Sequence, residues 1–367
     1  MCHESSGVAL TETLGIGKGS VTLEDFNHAE LVIVIGQNPG TNHPRMLTAL
    51  GETKKRGGKI ITINPLPEVG LMRYKDPQNP LKWIGKGQKL TDIFLQVKIN
   101  GDVALLKIIL KLLWEKEQKS PGTIFDHEFI NSNTLGYNHF IKDLETYSIE
   151  ELIPQTGIDL KIIKEAATLI AAKKKIIICW AMGLTQHKNS VDNIREVVNL
   201  LLVKGSIGKQ GAGTCPVRGH SNVQGDRTMG IWEKPKKEFL DNLEKEFNFK
   251  APRKHGLDVV DAIEAMHQKK AKVFIGMGGN FLSATPDTEY TAKALQNCEL
   301  TVHVSTKLNR SHLIHGKKAL ILPCLGRSEK DIQEKGVQFV SVENSMGVVH
   351  SSSGHLAPLS EALLREA

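Results

Sequence analysis

Two places in the sequence carry side chains able to do chemistry. Cys2 and His3 set a thiol beside an imidazole, followed by Ser5, Ser6 and an apolar run with helix-like spacing. A thiol at a helix N-terminus gains thiolate character from the helix dipole, which suits a nucleophile or a metal ligand, whereas a frayed chain start would leave the pair without a role. The second place is residues 205–226, GSIGKQGAGTCPVRGHSNVQGD, where Arg218 stands among glycines and is followed by Gly219 and a run of amides and hydroxyls that includes Asn222 and Gln224. Glycine lets backbone N–H groups approach a bulky ligand, and amides offer paired donors and acceptors. The stretch therefore suits a polar, phosphate-bearing or heterocyclic ligand, with a long surface loop as the alternative.

Such residues need strands and turns to hold them. Residues 31–35, LVIVI, are a continuous β-branched run ending at Gly36, as expected of a parallel strand covered on both faces. The chain then turns through Gln37, Asn38, Pro39, Gly40, Thr41 and Asn42 into a helix over 45–54, and a second strand over 59–63 ends at Asn64 and Pro65. Ligands of such a unit bind outside the carboxyl ends of its strands, where both turns fall. A strand over 93–97 leads to Asp102, placed to cap a helix over 103–117. Short helices over 121–157, an amphipathic helix over 159–172 and a strand over 176–179 follow, and that strand exits through Met182, Gly183 and Gln186. Within it, Cys179 reads as an inert core thiol.

A helix over 189–204 delivers the chain to the glycine-rich stretch, and residues 234–254 form a charged, exposed, helical connection. Strands over 273–276, 300–304, 319–323 and 337–342, with a helix over 288–297, then repeat the first plan, the first of them ending near Gly278 and Asn280. The expected fold is α/β, with two Rossmann-like parallel-sheet domains over residues 1–222 and 223–340 and a final segment over 341–367.

Composition removes several classes. With 367 residues, 40% hydrophobic and 24% charged, the chain has globular values and enough length for two cores. Its net charge of +7 comes from short basic runs, and with aromatics at 5% no basic stretch is interleaved with stacking residues, so no nucleic acid is expected as a partner. The five cysteines lack a CxxC pair, which disfavours a disulfide framework and a self-contained zinc or iron–sulfur site. A dinucleotide fingerprint GxGxxG is absent, so no nicotinamide cofactor is indicated, and the glycines at 15, 17 and 19 do not form a phosphate loop. No membrane segment or secretory leader is present in the sequence, and the expected location is cytoplasmic.

Together, GQNPGTNHP after the first strand, WAMGLTQ after the fourth, GKQGAGTCPVRGHSNVQGD, and GMGGNFLSATPD in the second half resemble the molybdopterin-dependent oxidoreductase family, and within it the formate dehydrogenase H and YdeP-type alpha subunits. The resemblance covers nearly the whole chain in collinear order. It implies two molybdopterin guanine dinucleotides around one molybdenum or tungsten atom, with one dinucleotide held by each α/β domain. Cys2 then corresponds to the metal ligand, His3 to the adjacent histidine that accepts a proton, and Arg218 to the active-site arginine. Cofactor contacts carry over to Asn38, Thr41 and Asn42, to Asn64 and Pro65, to Met182 and Gln186, and in the second domain to Gly278, Thr306 and Arg310. Gly36, Asp102, Gly183, Gly219, Asn222, Gln224 and Asn280 complete the cofactor-binding set.

The chain also departs from the family pattern. Asn64-Pro65-Leu66 replaces the Asp-Pro-Arg of many members. The family's cysteine-rich segment with its [4Fe-4S] cluster and its closing barrel have no counterpart in these 367 residues, and residues 342–354 resemble the strand that returns to the absent domain. The expectation is an internal fragment of a larger enzyme, inactive alone, acting in its parent on a small molecule such as formate or another small anion. An electron-accepting protein partner is implied, its identity left open. A non-catalytic α/β nucleotide-binding or assembly protein is the alternative, told apart by the lack of metal. A thiol enzyme built on Cys2 and His3 is disfavoured because no third, orienting residue is evident.

Overall fold

Leu31–Ile35, Lys59–Ile63 and Ile176–Trp180 carry apolar side chains on both faces of the chain, so each can be stable only inside a sheet covered twice. The computed structural model, which describes residues 2–75, 84–220 and 222–366, places them at the centre of a five-stranded parallel sheet. Its strands are β1 (Leu31–Ile35), β2 (Lys59–Ile63), β5 (Ile93–Leu95), β6 (Ile176–Trp180) and β7 (Gly213–Pro216), with β3 (Arg73–Tyr74) and β4 (Gln88–Lys89) forming a separate short antiparallel pair. The sheet order is β5-β2-β1-β6-β7. Ile33 lies opposite Ile61 on one side and Ile178 on the other.

The pleat sends Leu31, Ile33 and Ile35 to one face, where helices Asp102–Lys119, Leu160–Ala171 and Ser190–Val203 cover them with residues such as Ile109, Ile163 and Val197. Val32, Val34 and Cys179 face the opposite side, under Phe26, Leu47 and Leu50. Each fully buried branched side chain contributes roughly 1.5–3 kcal/mol, so this double-sided packing is the main reason the strands hold their register.

The chain clusters into two units, Met1–Gln224 with Asn344–Val348, and Gly225–Glu343 with Val349–Ala367. The second contains a three-stranded parallel sheet, ordered β10-β9-β8, from β8 (Val273–Met277), β9 (Leu300–Ser305) and β10 (Lys318–Pro323). Helices Val259–His267 and Thr288–Gln296 supply its core through Ile263, Met266, Ala294 and Leu295. Helix Lys237–Phe247 buries no residue, as its charge pattern predicts. Among the described residues, no helix is long and apolar enough to cross a membrane.

Three expectations require correction. Residues 205–226 are not simply a loop, because Gly213–Pro216 is the edge strand β7, paired with β6 so that Cys215 lies opposite Cys179. The strand expected over 93–97 stops at Leu95, where the Val97 N–H turns back to the Leu95 carbonyl. Residues 337–342 do not extend the second parallel sheet. They divide between β12 (Gly336–Gln338), paired with β11 (Asp331–Gln333), and β13 (Val340–Glu343), paired with β14 (Val349–Ser352), both antiparallel.

One buried charge ties the helical layer together. The Glu117 carboxylate accepts from the N–H groups of Gly122, Ile124 and Phe125 and from His127. Burial pushes its pKa up, but these donors outweigh burial and leave it at about 2. A depressed acid stabilises the fold above its unfolded value near 4.5, and the contribution is lost as pH falls toward 2. Glu117→Gln is therefore expected to cost about 3 kcal/mol at pH 7, with the difference from the unchanged chain closing as urea unfolding is repeated toward pH 2. A difference that stayed constant with pH would show that the carboxylate charge is not what stabilises this layer.

Candidate functional site

In chain order the five strands run third, second, first, fourth, fifth across the sheet, so the topology reverses between β1 and β6. A crevice opens outside the carboxyl ends of the strands at such a point. Here two turns meet backbone to backbone. Gly36 leaves β1 with φ +56, and the Gly183 N–H donates to its carbonyl at 3.0 Å. A Cβ on Gly183 would lie 2.6 Å from the Gly36 Cα, and one on Gly36 would lie 2.7 Å from the Gly183 carbonyl carbon. Neither position tolerates a side chain. Beside them a second pair, Gly40 and Gly70, approaches as closely, with a Cβ on Gly70 falling 2.7 Å from the Gly40 Cα.

Around this contact the turns present polar groups. Asn38 caps helix Pro39–Asn42 by accepting from the Thr41 N–H at 3.3 Å, which leaves Thr41 and Asn42 exposed. Gln37 is only 3% exposed, and its Oε1 is buried with no partner while its Nε2 meets the Met46 sulfur at 3.1 Å. Asn64 is buried with its Nδ2 donating to the Leu66 carbonyl at 2.8 Å, and exposed Pro65 offers its carbonyl to Gln96. Met182 and Gln186 flank the short turn after β6, both exposed.

Asp102 is not a cap. Gly101 holds the N-cap position, and Asp102 begins helix Asp102–Lys119, buried, with its carboxyl raised to about 6 by burial, an effect that nearby His187 partly offsets. His187 in turn donates to the Gly183 carbonyl at 2.7 Å.

Cys2 and His3 reach the same edge. The Cys2 carbonyl accepts from Thr185 Oγ1 at 2.6 Å and from Gln186 Nε2 at 3.3 Å, which ties the residue to the turn after β6. His3 sits at the N-cap of helix Glu4–Leu14, buried, with Nε2 3.1 Å from the Val217 carbonyl and Nδ1 3.0 Å from Ser6 Oγ. A carbonyl only accepts, so Nε2 carries the proton and Nδ1 accepts from the Ser6 hydroxyl, whose oxygen also takes the Trp180 indole N–H at 2.9 Å. Burial first, and then the neighbouring Arg218 guanidinium, push His3 down to about 4, so the ring is neutral near pH 7.

Arg218 is buried and donates through Nη2 to the Gly17 carbonyl at 2.8 Å, while its own carbonyl accepts from His43 Nε2 at 3.1 Å. Gly219 is exposed beside it, Asn222 is half-buried, and Gln224 is buried with its amide donating to the Asn344 carbonyl. The first unit thus gathers Cys2, His3, Arg218, Met182, Gly183 and Gln186 around one stretch of sheet edge.

The second unit repeats the local device. Gly278 leaves β8 with φ +67, and Asn280 stands at the N-cap of the four-residue helix Phe281–Ala284. Ser311 donates to its Oδ1 at 2.7 Å, and Asn309 donates to the Gly279 carbonyl at 2.9 Å. Thr306 and Arg310 are exposed just beyond β9. The sequence places Gln37 and Gly40 in the turn at this edge without a role of their own, and gives no site role to His43, Gly70, Ser6, Trp180 or Asn309. The run GQNPGTNHP contains Gln37, Gly40 and His43, and its two glycines bracketing two amides are the signal.

The sequence matches the family model described as Molybdopterin oxidoreductase over residues 9–314. It is 53% identical over 366 residues to an uncharacterised oxidoreductase of Mycobacterium tuberculosis, covering 100% of this chain and 47% of that protein. Protein YdeP of Escherichia coli is 46% identical over 371 residues, covering 100% of this chain and 49% of its own. An F420-dependent formate dehydrogenase 1 subunit alpha of Methanococcus maripaludis is 27% identical over 337 residues, 90% of this chain and 46% of that one. Among solved structures, the acetylene hydratase of Pelobacter acetylenicus has the same fold, with a TM-score of 0.71 at 19% identity over 99% of this chain and 48% of its own. The chain spans about half the length of the curated relatives it matches.

The geometry generates two predictions. Gly183→Ala must displace the Gly36 backbone, and overpacking of that kind costs about 1–3 kcal/mol, whereas Gly219→Ala, whose Cβ meets nothing within 4 Å, is expected to be neutral. Urea unfolding of both variants checks this, and equal midpoints would refute the contact. An acid whose folded pKa is raised favours the fold fully below its unfolded value of 3.8 and loses that contribution as pH rises through about 6. Asp102→Asn, with no charge to bury, is therefore expected to gain up to about 3 kcal/mol over the unchanged chain above pH 6 and nothing below pH 4.

Proposed function

The chain belongs to the molybdopterin oxidoreductase family, and from that premise we propose that it supplies the two dinucleotide-binding units of a formate dehydrogenase-like enzyme with two molybdopterin guanine dinucleotides and one molybdenum or tungsten atom. The observation that carries this is the glycine contact at the switch point. Gly36 and Gly183, with Gly40 and Gly70 beside them, pack backbone to backbone and keep that stretch of edge clear of side chains, and the partnerless Gln37 Oε1 is an acceptor there without a protein donor. Those features fit a large, flat, donor-rich group.

In the first unit Gly36, Asn38, Thr41, Asn42, Asn64, Pro65, Asp102, Met182, Gly183, Gln186, Gly219, Asn222 and Gln224 would hold one dinucleotide. Gly278, Asn280, Thr306 and Arg310 would hold the other. When bound, the metal and its pterins supply two-electron redox chemistry. Cys2 offers a soft thiolate to the metal, anchored through its carbonyl by Thr185 and Gln186. Arg218 presents a guanidinium fork to a small anionic substrate. His3 accepts a proton only at Nδ1, which means displacing the Ser6 hydroxyl; Ser6 can keep the Trp180 bond when that happens. The chain spans about half the length of its relatives, which agrees with its working within a longer polypeptide, on this reading in the cytoplasm.

The test begins with the 367-residue chain purified anaerobically from cells supplied with molybdate or tungstate, measuring metal, pterin and formate-driven dye reduction. A folded, metal-poor and inactive protein is expected, and near-stoichiometric metal with turnover would overthrow the incomplete-chain reading. In a polypeptide of the relatives' length, Arg218→Lys is expected to keep metal and pterin and to lose turnover by at least tenfold, because an ammonium cannot reproduce the fork. Nucleotide without metal in that longer protein would favour a non-catalytic binding module.

A further inference from the structure

The two residues that leave β7 have their carbonyls taken by two histidines. Val217 accepts from His3 Nε2, and Arg218 accepts from His43 Nε2, each at 3.1 Å. Both histidines occupy the N-cap position of a helix, His3 before Glu4–Leu14 and His43 before Pro44–Lys55. Neither side chain caps its own helix. Serine, threonine, aspartate and asparagine are favoured there because their side chains satisfy the first free N–H groups. An imidazole forgoes that bond, and at both positions its Nε2 is directed to the same dipeptide instead.

The dipeptide has reason to need fixing. β7 is a four-residue edge strand that ends in Pro216. Its last sheet-like bond is the Val217 N–H to the Trp180 carbonyl at 2.9 Å. Arg218 is followed by Gly219, which is exposed and whose Cβ position faces open space. Beyond the sheet bond, then, the backbone that carries the guanidinium is held on one side by a strand end and on the other by the most permissive residue type. His43 also leaves Nδ1 buried without a partner, and because a carbonyl only accepts, its Nε2 carries a proton.

We propose that His3 and His43 form a two-imidazole clamp on the Val217–Arg218 backbone, which makes His43 a positioning residue for the Arg218 guanidinium. The purpose of the clamp rests on Arg218 being the anion-holding group, but its existence does not. The measurements below use the chain without cofactor or substrate, so a failed clamp and a failed oxidoreductase are separate results.

The experiment compares His43→Gln, His43→Asn and His43→Ala in the 367-residue chain. A glutamine amide reaches the place of Nε2 and keeps the donor, whereas asparagine and alanine do not. Peptide-level hydrogen exchange over residues 217–220 and the side-chain Nε–H resonance of Arg218 in arginine-labelled protein are the readouts. Alanine and asparagine are expected to speed exchange in that segment at least tenfold and to broaden or shift the arginine signal. Glutamine is expected to stay within about twofold of the unchanged chain. Nitrogen shifts of the His43 ring in the unchanged chain are expected to show the proton on Nε2. Unaltered exchange in folded His43→Ala, equal behaviour of glutamine and asparagine, acceleration spread evenly over the first unit, or a proton on Nδ1 would each overturn the clamp. If His43→Ala does not fold, the glutamine and asparagine pair and the ring shifts decide the matter.

Discussion

At the carboxyl edge of the first sheet, the turns after β1 and β6 touch with no side chain between them, and much of the site follows from that steric fact. Because Gly36 and Gly183 admit no Cβ, the turn that leaves β1 and the short helix Met182–Thr185, which contains Gly183, pack directly together. Thr185 and Gln186 then lie where they can bind the Cys2 carbonyl, and Asn38 and Gln37 stand on the neighbouring turn. The sheet beneath supplies the rigidity. Its central strands are buried on both faces, so neither turn can move without uncovering apolar surface.

Burial treats ionisable groups in two ways in this unit. In the helical layer it is answered by partners. Glu117 collects three backbone N–H groups and His127, and Lys107 lies 2.9 Å from Glu196 and 3.0 Å from Asp143. Those charges persist because every desolvated atom is compensated. At the sheet edge burial dominates instead, lowering His3 to about 4 and raising Asp102 to about 6. A guanidinium beside a neutral imidazole gives the end of β7 local positive character, which suits an anionic ligand or substrate.

The second unit reaches a similar turn by a different route. A glycine at positive φ and an asparagine N-cap recur at Gly278 and Asn280, but hydrogen bonds from Ser311 and Asn309 fix the turn where the first unit relies on glycine contact. Two solutions for one local shape indicate that the shape, rather than any particular contact, is what the fold preserves.

The sequence by itself determined the parallel strands, most of the helices and the polar turns at strand ends, because β-branched runs, helical periodicity and glycine or amide clusters are local signals. Runs such as LVIVI and KIITI read as strands covered on both faces, and the motif GQNPGTNHP falls at the carboxyl end of the first of them. Tertiary structure alone decided that Gly213–Pro216 is a strand, since GTCP acquires that state only by pairing with β6. It also moved Asp102 from a helix cap to a buried acid and divided residues 337–342 between two antiparallel pairs. His43 was legible as a residue but not as a partner of Arg218, which lies 175 positions away, and His3 meets Val217 across 214. Such contacts depend on where the sheet brings distant turns together, and a backbone approach like that of Gly36 and Gly183 has no side chain through which a sequence could announce it.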